Sequence, residues 1–220
     1  MIPIFVGYDP RESVAYHVFC QSILSRTTKP VAFTPLTLGS LNYFETHTDG
    51  SNEFIYSGFL VPYLMGFKGF AIFADGDMVC NSDIANLWAL RDANKAVQVV
   101  KHDYKTKHPV KYLGAKNDDY PCKNWSSLIL WNCGHKANSI LTPRYIENAT
   151  GKTLHRFEHL RPDEIGELPL SWNYLVGEYG LADADLYHYT IGTPCFRDYD
   201  NCDHADRWHE EHAKVNQCLQ

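Results

Sequence analysis

This 220-residue sequence predicts a single α/β domain, with helices on both faces of a mixed central sheet. Two observations lead to that fold class. In the first half of the chain, apolar runs typical of strands alternate with runs typical of helices, the order found in sheets covered by helices. The chain also opens with a strand, a tight loop and a helix, as many nucleotide-binding α/β domains do. No change in composition marks a boundary, so residues 1–220 are assigned to one domain.

The first strand is predicted at residues 2–7 and the first helix from Asp9 to about Ser25. Asp9 suits the N-cap, Pro10 the first helical position and Glu12 the third, as in a capping box. Asp9 and Glu12 are equally suited to hydrogen-bond ribose hydroxyls, and the sequence leaves both interpretations open. The fingerprint G-x-G-x-x-G is absent, which argues against a dinucleotide cofactor.

The remaining elements follow from apolar periodicity and from turn residues. Strands are predicted at 31–36, 70–74, 96–100, 127–131 and 185–189, and helices at 53–65, 138–148 and 203–216. Two segments, 38–52 and 103–121, are predicted as loops. The second loop is long, polar and rich in lysine, and loops of that length often line or close a binding site. Most of its lysines are expected to face solvent.

The most informative motif is Asp75-Gly76-Asp77, which directly follows the predicted strand at 70–74. Carboxylates at i and i+2 of an extended backbone lie on the same side, and Gly76 has no side chain to obstruct a ligand. At the carboxyl end of a central strand, such a pair suits a hard divalent cation that also binds phosphate oxygens. Because Asp and Gly are also favoured in turns, a strand-ending turn is the competing interpretation.

Composition and charge argue against several functional classes. The net charge of −6 argues against nucleic acid as a partner. No apolar run approaches the roughly 20 residues that a membrane span requires. The seven cysteines form no C-x-x-C motif, which favours reduced thiols over disulfides or a zinc site. Since the N-terminus also lacks the pattern of a signal peptide, these features predict a cytoplasmic protein.

Four segments, taken in order, resemble glycosyltransferase family eight, the glycogenin and bacterial galactosyltransferase type, which has the GT-A fold. They lie at residues 4–9, 71–88, 168–174 and 188–194. The second contains the pair Asp75 and Asp77 and ends in Leu87-Trp88, the third runs from Leu-Pro to Asn173, and the fourth begins at His188. The resemblance covers about residues 2–200 and depends on the order of the segments, because each is weak alone.

The resemblance implies transfer of a sugar, in most cases from a UDP-sugar, to a glycan or other hydroxyl acceptor with retention of configuration. It implies that Asp75, Asp77 and His188 bind Mn²⁺ or Mg²⁺, and an imidazole ligand favours Mn²⁺. The competing interpretation of His188 is a buried core histidine on a strand. The nucleotide-binding half is expected at about residues 1–102, and the acceptor-side half is expected at about residues 103–220.

The resemblance also indicates where the donor binds. The expected donor-binding residues are Val6, Gly7, Tyr8, Asp9, Asp75, Gly76, Asp77, Gly192 and Arg197. Tyr8 is expected to stack on uracil, and a purely structural packing role is the competing interpretation. Arg197 is expected to grip the diphosphate in place of a lysine that the family usually has.

Asp163 and Glu164 are the candidate catalytic carboxylates, because they precede the Leu-Pro segment near the position of the family's anomeric-carbon residues. Front-side attack assisted by the leaving phosphate needs neither of them. Trp125 and Trp172 are candidate platforms for a sugar ring, although a buried tryptophan is the commoner case.

Two other functions are compatible with these motifs. A nucleotidyltransferase shares the sheet and the metal, but it usually has a glycine-rich basic loop after its first strand. A catalytically inactive carbohydrate-binding module would use Asp75 and Asp77 to hold calcium. The sequence His-Glu-Glu-His at 209–212 is not a zinc-protease motif, since its histidines are three residues apart, and it is expected on a solvated helix face.

Overall fold

A computed structural model of the protein describes residues 1–37, 41, 55–180 and 182–217. Nine strands are formed within those ranges: β1 Ile2–Gly7, β2 Val31–Leu36, β3 Phe70–Ala74, β4 Met78–Cys80, β5 Val97–Val99, β6 Leu128–Asn132, β7 Ile165–Glu167, β8 Tyr174–Leu175 and β9 Leu186–His188. They form a central six-stranded sheet in the order β2-β1-β3-β6-β5-β7 and a small sheet in the order β4-β9-β8.

The central sheet is mixed, as the sequence predicts. β1 pairs in parallel with β2 and β3, whereas β6 lies antiparallel between β3 and β5, and β7 is parallel to β5. Every strand except β6 therefore runs in the same direction. Their carboxyl ends share one edge of the sheet, which is where ligands bind in open α/β folds.

Six α-helices are described, α1 Ser13–Leu24, α2 Val61–Leu64, α3 Ile84–Ala89, α4 Pro143–Asn148, α5 Gly151–His155 and α6 Ala205–Val215. A turn of 3₁₀ helix at Pro10–Glu12 precedes α1, and the Asp9 side chain caps it by accepting a hydrogen bond from the amide of Arg11. α1 buries Ala15, Val18, Phe19 and Ile23 at the spacing of one helix face.

Two predicted helices are shorter in the structure. The helix predicted at 138–148 is a 3₁₀ segment at Lys136–Ile140 followed by α4, because Pro143 starts a new helix and has no amide hydrogen to continue the earlier one. The helix predicted at 53–65 is formed only as a 3₁₀ turn at Ser57–Leu60 and the four residues of α2. Its first two residues, and the loop predicted at 38–52 apart from residue 41, lie outside the described residues.

The core lies on both faces of the central sheet. Alternate residues of β3 divide between the faces, Ala71 and Phe73 in one apolar cluster and Ile72 and Ala74 in the other. A third cluster joins α1, the small sheet and α6, and it includes Trp208. Trp172, a candidate sugar platform, is 4% exposed and packs within the second cluster.

The α6 helix corrects one expectation about the segment at 209–212. Glu211 is fully buried rather than solvated, and its carboxylate accepts hydrogen bonds from Ser25, Arg26 and Lys214. These contacts join α6 to the end of α1. Among the described residues, no helix combines the length and the apolar character that crossing a bilayer requires.

Candidate metal centre

The Asp75-Gly76-Asp77 motif lies in a bend between β3 and β4, at the carboxyl edge of the central sheet. The short strand β4 pairs with β9 in a register that places Met78 opposite His188, and the amide of Tyr189 donates to the carbonyl of Asp77. Strand pairing between two distant segments therefore brings the imidazole to the two carboxylates. The extended backbone expected for the motif is absent, yet its two side chains still converge.

Asp75, Asp77 and His188 each offer one ligand atom, and these atoms all lie within 4.8 Å of one another. Nε2 of His188 is 3.3 Å from Oδ1 of Asp77 and 4.0 Å from Oδ2 of Asp75. Both His188 distances fall below the roughly 4.2 Å that separates opposite ligand atoms of a Mg²⁺ ion bound at about 2.1 Å. The three side chains are thus arranged as a candidate divalent-metal site.

The orientation of His188 is fixed by a hydrogen bond behind it. Its Nδ1 lies 2.9 Å from Oδ1 of Asn173. The amide nitrogen of Asn173 donates to Ser127 Oγ and to the carbonyl of Asn124, which assigns the oxygen to the histidine side. Nδ1 therefore donates to Asn173, and Nε2 faces the two carboxylates. Metal-binding histidines commonly have such a partner.

One observation tests whether these residues fit a metal. Oδ1 of Asp77 is buried and has no hydrogen-bond partner within the described part of the chain. It faces Nε2 of His188 at 3.3 Å, and a metal cation between the two atoms would satisfy both of them. The donor set, two carboxylates and one imidazole, suits Mn²⁺ or Mg²⁺ with further positions for other oxygen ligands. The residues present therefore fit a divalent metal.

The electrostatics of the site also favour a cation. Burial, followed by the charge of Asp77, raises the pKa of Asp75 well above its ordinary value. Burial acts to raise the pKa of Asp77 as well, but His188, together with Lys111 and a backbone hydrogen bond, outweighs it and lowers this pKa below its ordinary value. Burial and then the charge of Asp77 raise the pKa of Glu12, on the first loop, to about 8. A divalent ion would neutralise this cluster of acids.

The first loop contacts the motif through its backbone. A methyl group added to Gly76 would lie 2.5 Å from the carbonyl oxygen of Gly7. The space at Gly76 is therefore filled by the end of β1 rather than left open for a ligand. Val6 is fully buried in the second core cluster.

The other first-loop residues have partners within the protein. Asp9 is buried, and both of its carboxylate oxygens interact with Arg11, which agrees with the capping alternative. Tyr8 is half-buried and packs edge-on against Tyr16, with ring centroids 5.6 Å apart. The second acid of the expected capping box, Glu12, lies within 3.4 Å of the Thr193 hydroxyl rather than bonding to the residue 9 amide.

Neither Gly192 nor Arg197 lines the pocket around the three metal-ligand candidates. A methyl group at Gly192 would lie 2.5 Å from the ring of Tyr199, so that packing of this ring accounts for the glycine. Arg197 is exposed on a short 3₁₀ helix at Arg197–Tyr199, and it does not line the pocket around Asp75.

Asp163 and Glu164 are not brought to the metal-ligand cluster, which departs from the expectation that they flank the reacting carbon. They end a 3₁₀ turn at the start of β7, and the carbonyl of Glu164 accepts from the amide of Ala96 just before β5. Because β5 and β7 run parallel to β3, the residues just before β7 lie at the amino ends of these strands. Asp75 follows β3 and therefore lies at the carboxyl ends, on the opposite side of the sheet. Asp163 pairs with Arg161 in solvent, and Glu164 accepts from the amide of Arg161. Both carboxylates therefore stabilise a turn.

The carboxylate cluster opens into a narrow pocket of about 60 Å³. Its wall includes six residues that were not among the expected site residues, Lys111, Tyr112, Tyr120, Asn124, Ser126 and His155. Three of them belong to the long polar loop, which is anchored by a hydrogen bond from the amide of Tyr112 to the carbonyl of Ile191. The length and polarity of the loop signalled a binding function. For Asn173, the only sequence signal was its place at the end of the segment that begins with Leu168-Pro169.

Comparison with known proteins adds a family and a fold. The chain is 41% identical over 224 residues to Protein CDI from Arabidopsis thaliana, covering 97% of this chain and 86% of that protein. This chain belongs to the Protein CDI family. No protein-family model matches the sequence.

Two solved glycosyltransferases share the fold of this CDI-family chain. The bifunctional glycosyltransferase WbbM superposes with a TM-score of 0.69 at 13% identity over 98% of the chain, which spans half the length of WbbM. The galactosyltransferase LgtC, solved with donor and acceptor sugar analogs, superposes with a TM-score of 0.61 at 12% identity over the whole chain and 98% of its own. The fold is therefore that of the GT-A glycosyltransferases, as the sequence predicts.

Proposed function

We propose that this protein transfers a sugar from a nucleotide-sugar donor to a hydroxyl acceptor, with a divalent metal bound by Asp75, Asp77 and His188. The single observation that carries the proposal is the convergence of these three ligand atoms within 4.8 Å. They lie at the ligand-binding edge of a sheet whose fold is that of WbbM and LgtC. The motif resemblance to glycosyltransferase family eight supports the same reaction class.

The metal would be Mn²⁺ or Mg²⁺, with Mn²⁺ favoured by the imidazole ligand. When bound, it supplies Lewis-acid stabilisation of charge on the leaving diphosphate. The protein's own part is to hold the two carboxylates on one side of the ion and to aim Nε2 of His188 through Asn173. Lys111 lines the same pocket and offers a positive charge toward phosphate oxygens.

The donor is proposed to be a UDP-sugar, bound mainly by the half at about 1–102, with the acceptor entering from the half at about 103–220. The bond between the anomeric carbon and the diphosphate oxygen breaks, and the diphosphate leaves with the electron pair. The acceptor oxygen forms the new bond to that carbon, and its proton passes to a diphosphate oxygen. This front-side route retains configuration and needs no protein nucleophile, which accords with the position of Asp163 and Glu164.

A turnover assay tests the proposal. Nucleotide sugars are incubated with the protein and Mn²⁺, and release of the nucleoside diphosphate is measured without and with candidate acceptors. We expect release from at least one UDP-sugar that is abolished by EDTA and by Asp77→Asn.

The assay also separates the rival functions. Release of pyrophosphate from a nucleoside triphosphate in the presence of a sugar phosphate would instead identify a nucleotidyltransferase. Sugar binding with no nucleotide affinity would identify an inactive carbohydrate-binding module.

A further inference from the structure

A second pocket adjoins the metal pocket and has a distinct chemistry. Its cavity volume is about 350 Å³, within the range of small-molecule binding sites. Its charged wall residues are Lys111, Lys116, Lys123, Lys152, Arg156 and Asp118. Five cationic side chains thus surround one carboxylate, in a protein whose net charge is −6. Such a local reversal of sign concentrates anions at the pocket.

Lys123 is the decisive residue of this wall. Its side chain is only 6% exposed, and its ammonium group makes no hydrogen bond within the described residues. Its nearest carboxylate oxygen, on Asp119, is 3.8 Å away and already accepts a hydrogen bond from the amide of Thr106. The ring centroid of Tyr104 is 5.7 Å from the ammonium group. Burial lowers the pKa of Lys123, against the charge of Asp119.

A buried ammonium group without hydrogen bonds is costly to the fold, and stability alone does not account for it. A methionine of similar length would fill the same space without that cost. An anion seated in the pocket would supply the missing hydrogen bonds. The long ion pair with Asp119 leaves the ammonium group of Lys123 without a hydrogen bond, and this makes Lys123 a candidate ligand contact.

The other cations differ in how well they are paired. Lys116 forms an ion pair with Asp118 at 2.7 Å, and both side chains are largely exposed, so that this pair is a weak one at the rim. Across the part of the chain that the structure describes, no carboxylate is within ion-pair distance of Lys111, Lys152 or Arg156. The charges of Lys152 and Arg156 are available to a ligand, whereas that of Lys111 also acts on Asp75 and Asp77.

The two pockets share part of their walls. Ile55, Lys111, Tyr120 and His155 line both. His155 also lies 2.6 Å from the Ser126 hydroxyl through its Nδ1, at the boundary between the pockets. A molecule in the basic pocket would therefore lie directly beside a donor held at Asp75 and Asp77. That is the position an acceptor must occupy.

We infer that the basic pocket is the acceptor site and that the acceptor carries an anionic group, a carboxylate or a phosphate ester, next to the hydroxyl that receives the sugar. The inference rests on the proposed function. Lys123, with Lys152 and Arg156 on the outer side, holds the anion. Lys111 stands between this anion and the donor diphosphate and reduces their mutual repulsion.

Anion binding is measured first, in EDTA, by calorimetry with inorganic phosphate, glucuronate and the neutral methyl glucoside. We expect both anions to bind and the glucoside to bind far more weakly. A charge-assisted hydrogen bond accounts for about a tenfold or greater change in affinity. Lys123→Met should therefore weaken phosphate binding by at least about tenfold, and Lys152→Met by a smaller factor. Lys68→Met, which removes an exposed lysine at the opposite edge of the sheet, should have no effect.

Binding of UDP with Mn²⁺ is measured in the same variants, and it also reports whether Lys123→Met is folded. If UDP binds with Mn²⁺ while phosphate binds wild type and Lys123→Met equally, or binds neither protein, the acceptor inference is overturned. Either result leaves the proposed function standing. If UDP does not bind, the proposed function fails, and the assignment of the pocket to an acceptor fails with it.

Turnover then distinguishes the two sources of the anion. Acceptors bearing a uronate and acceptors bearing a sugar phosphate are compared with their neutral counterparts. We expect one anionic class to have a KM at least about tenfold below that of its neutral counterpart, and Lys123→Met to abolish that difference. Equal KM values for all three classes would overturn the inference.

Discussion

Replacing Asp75 by asparagine should make the metal-free protein more stable while weakening its metal site. The carboxylates of Asp75 and Asp77 have ligand atoms no more than 4.8 Å apart. At an effective dielectric of 20, two unit charges at that distance repel by about 3.5 kcal/mol, and the raised pKa of Asp75 means that proton uptake relieves part of this cost. Because the side chain of Asp75 is 20% exposed, solvent screens part of this repulsion. We therefore expect Asp75→Asn to stabilise the metal-free fold by about 1–2 kcal/mol.

The assay is thermal unfolding at neutral pH, in EDTA and in Mn²⁺. For a chain of this size, the expected stabilisation raises Tm in EDTA by about 2–8 °C. Wild type should gain about 2.7 kcal/mol in Mn²⁺ at a concentration one hundred times its Kd. Asp75→Asn should bind Mn²⁺ about a hundredfold more weakly and gain little. The variant is then the more stable protein in EDTA and gains far less from Mn²⁺.

Asp83→Asn is the matched control. Asp83 lies outside the cluster of metal-ligand candidates. Its carboxylate caps α3 and accepts hydrogen bonds from Thr28. Its replacement should lower Tm slightly and leave the Mn²⁺-induced shift as in wild type. A lower Tm for Asp75→Asn in EDTA, or a Mn²⁺ shift equal to that of wild type, would refute the reasoning about the carboxylate cluster.

Three further predictions address the residues around the site and one buried ion pair. Asn173→Ala removes the hydrogen bond that orients His188 and should weaken Mn²⁺ binding by about tenfold to a hundredfold in a metal titration; unchanged affinity would show that the orientation is immaterial. In the metal-free protein, the pKa of Glu12 is about 8, against 4.5 in the unfolded chain. The free energy of unfolding should therefore fall as pH rises through this interval, by at most ~1.4 kcal/mol per pH unit. Urea unfolding should show a shallower decline for Glu12→Gln, and a decline as steep as that of wild type would contradict this. Glu211→Ala should cost about 2–4 kcal/mol in urea unfolding, since it leaves the Arg26 partner half-buried and unpaired; a cost below about 0.5 kcal/mol would place this pair among ordinary surface ion pairs.

Local sequence patterns predicted the elements that position the site. The strands predicted at 70–74 and 2–7 are formed with those bounds. Both predictions rest on local signals: an apolar run marks each strand, and the capped helix start at Asp9 marks the end of the first. The role of His188 came from motif resemblance. Its proximity to Asp77 depends on the pairing of β4 with β9, and the three residues of β4 are too few for periodicity to indicate.

The arrangements that the sequence did not predict depend on long-range packing. Asp163 and Glu164 precede the Leu-Pro segment in sequence, but strand direction places them at the other edge of the sheet. Gly76 was interpreted as room for a ligand, whereas the carbonyl of Gly7 fills that room. The burial of Lys123 is a tertiary property as well, because nothing in its local sequence distinguishes it from a solvated lysine.

Calorimetric titration of UDP into the protein, with and without Mn²⁺, tests the central claim most directly. We predict that wild type binds UDP with Mn²⁺, that binding falls below detection in EDTA, and that Asp77→Ala eliminates the Mn²⁺-dependent part while retaining the circular dichroism spectrum of wild type. UDP affinity that is equal with and without Mn²⁺, or equal in wild type and a folded Asp77→Ala variant, would contradict the account.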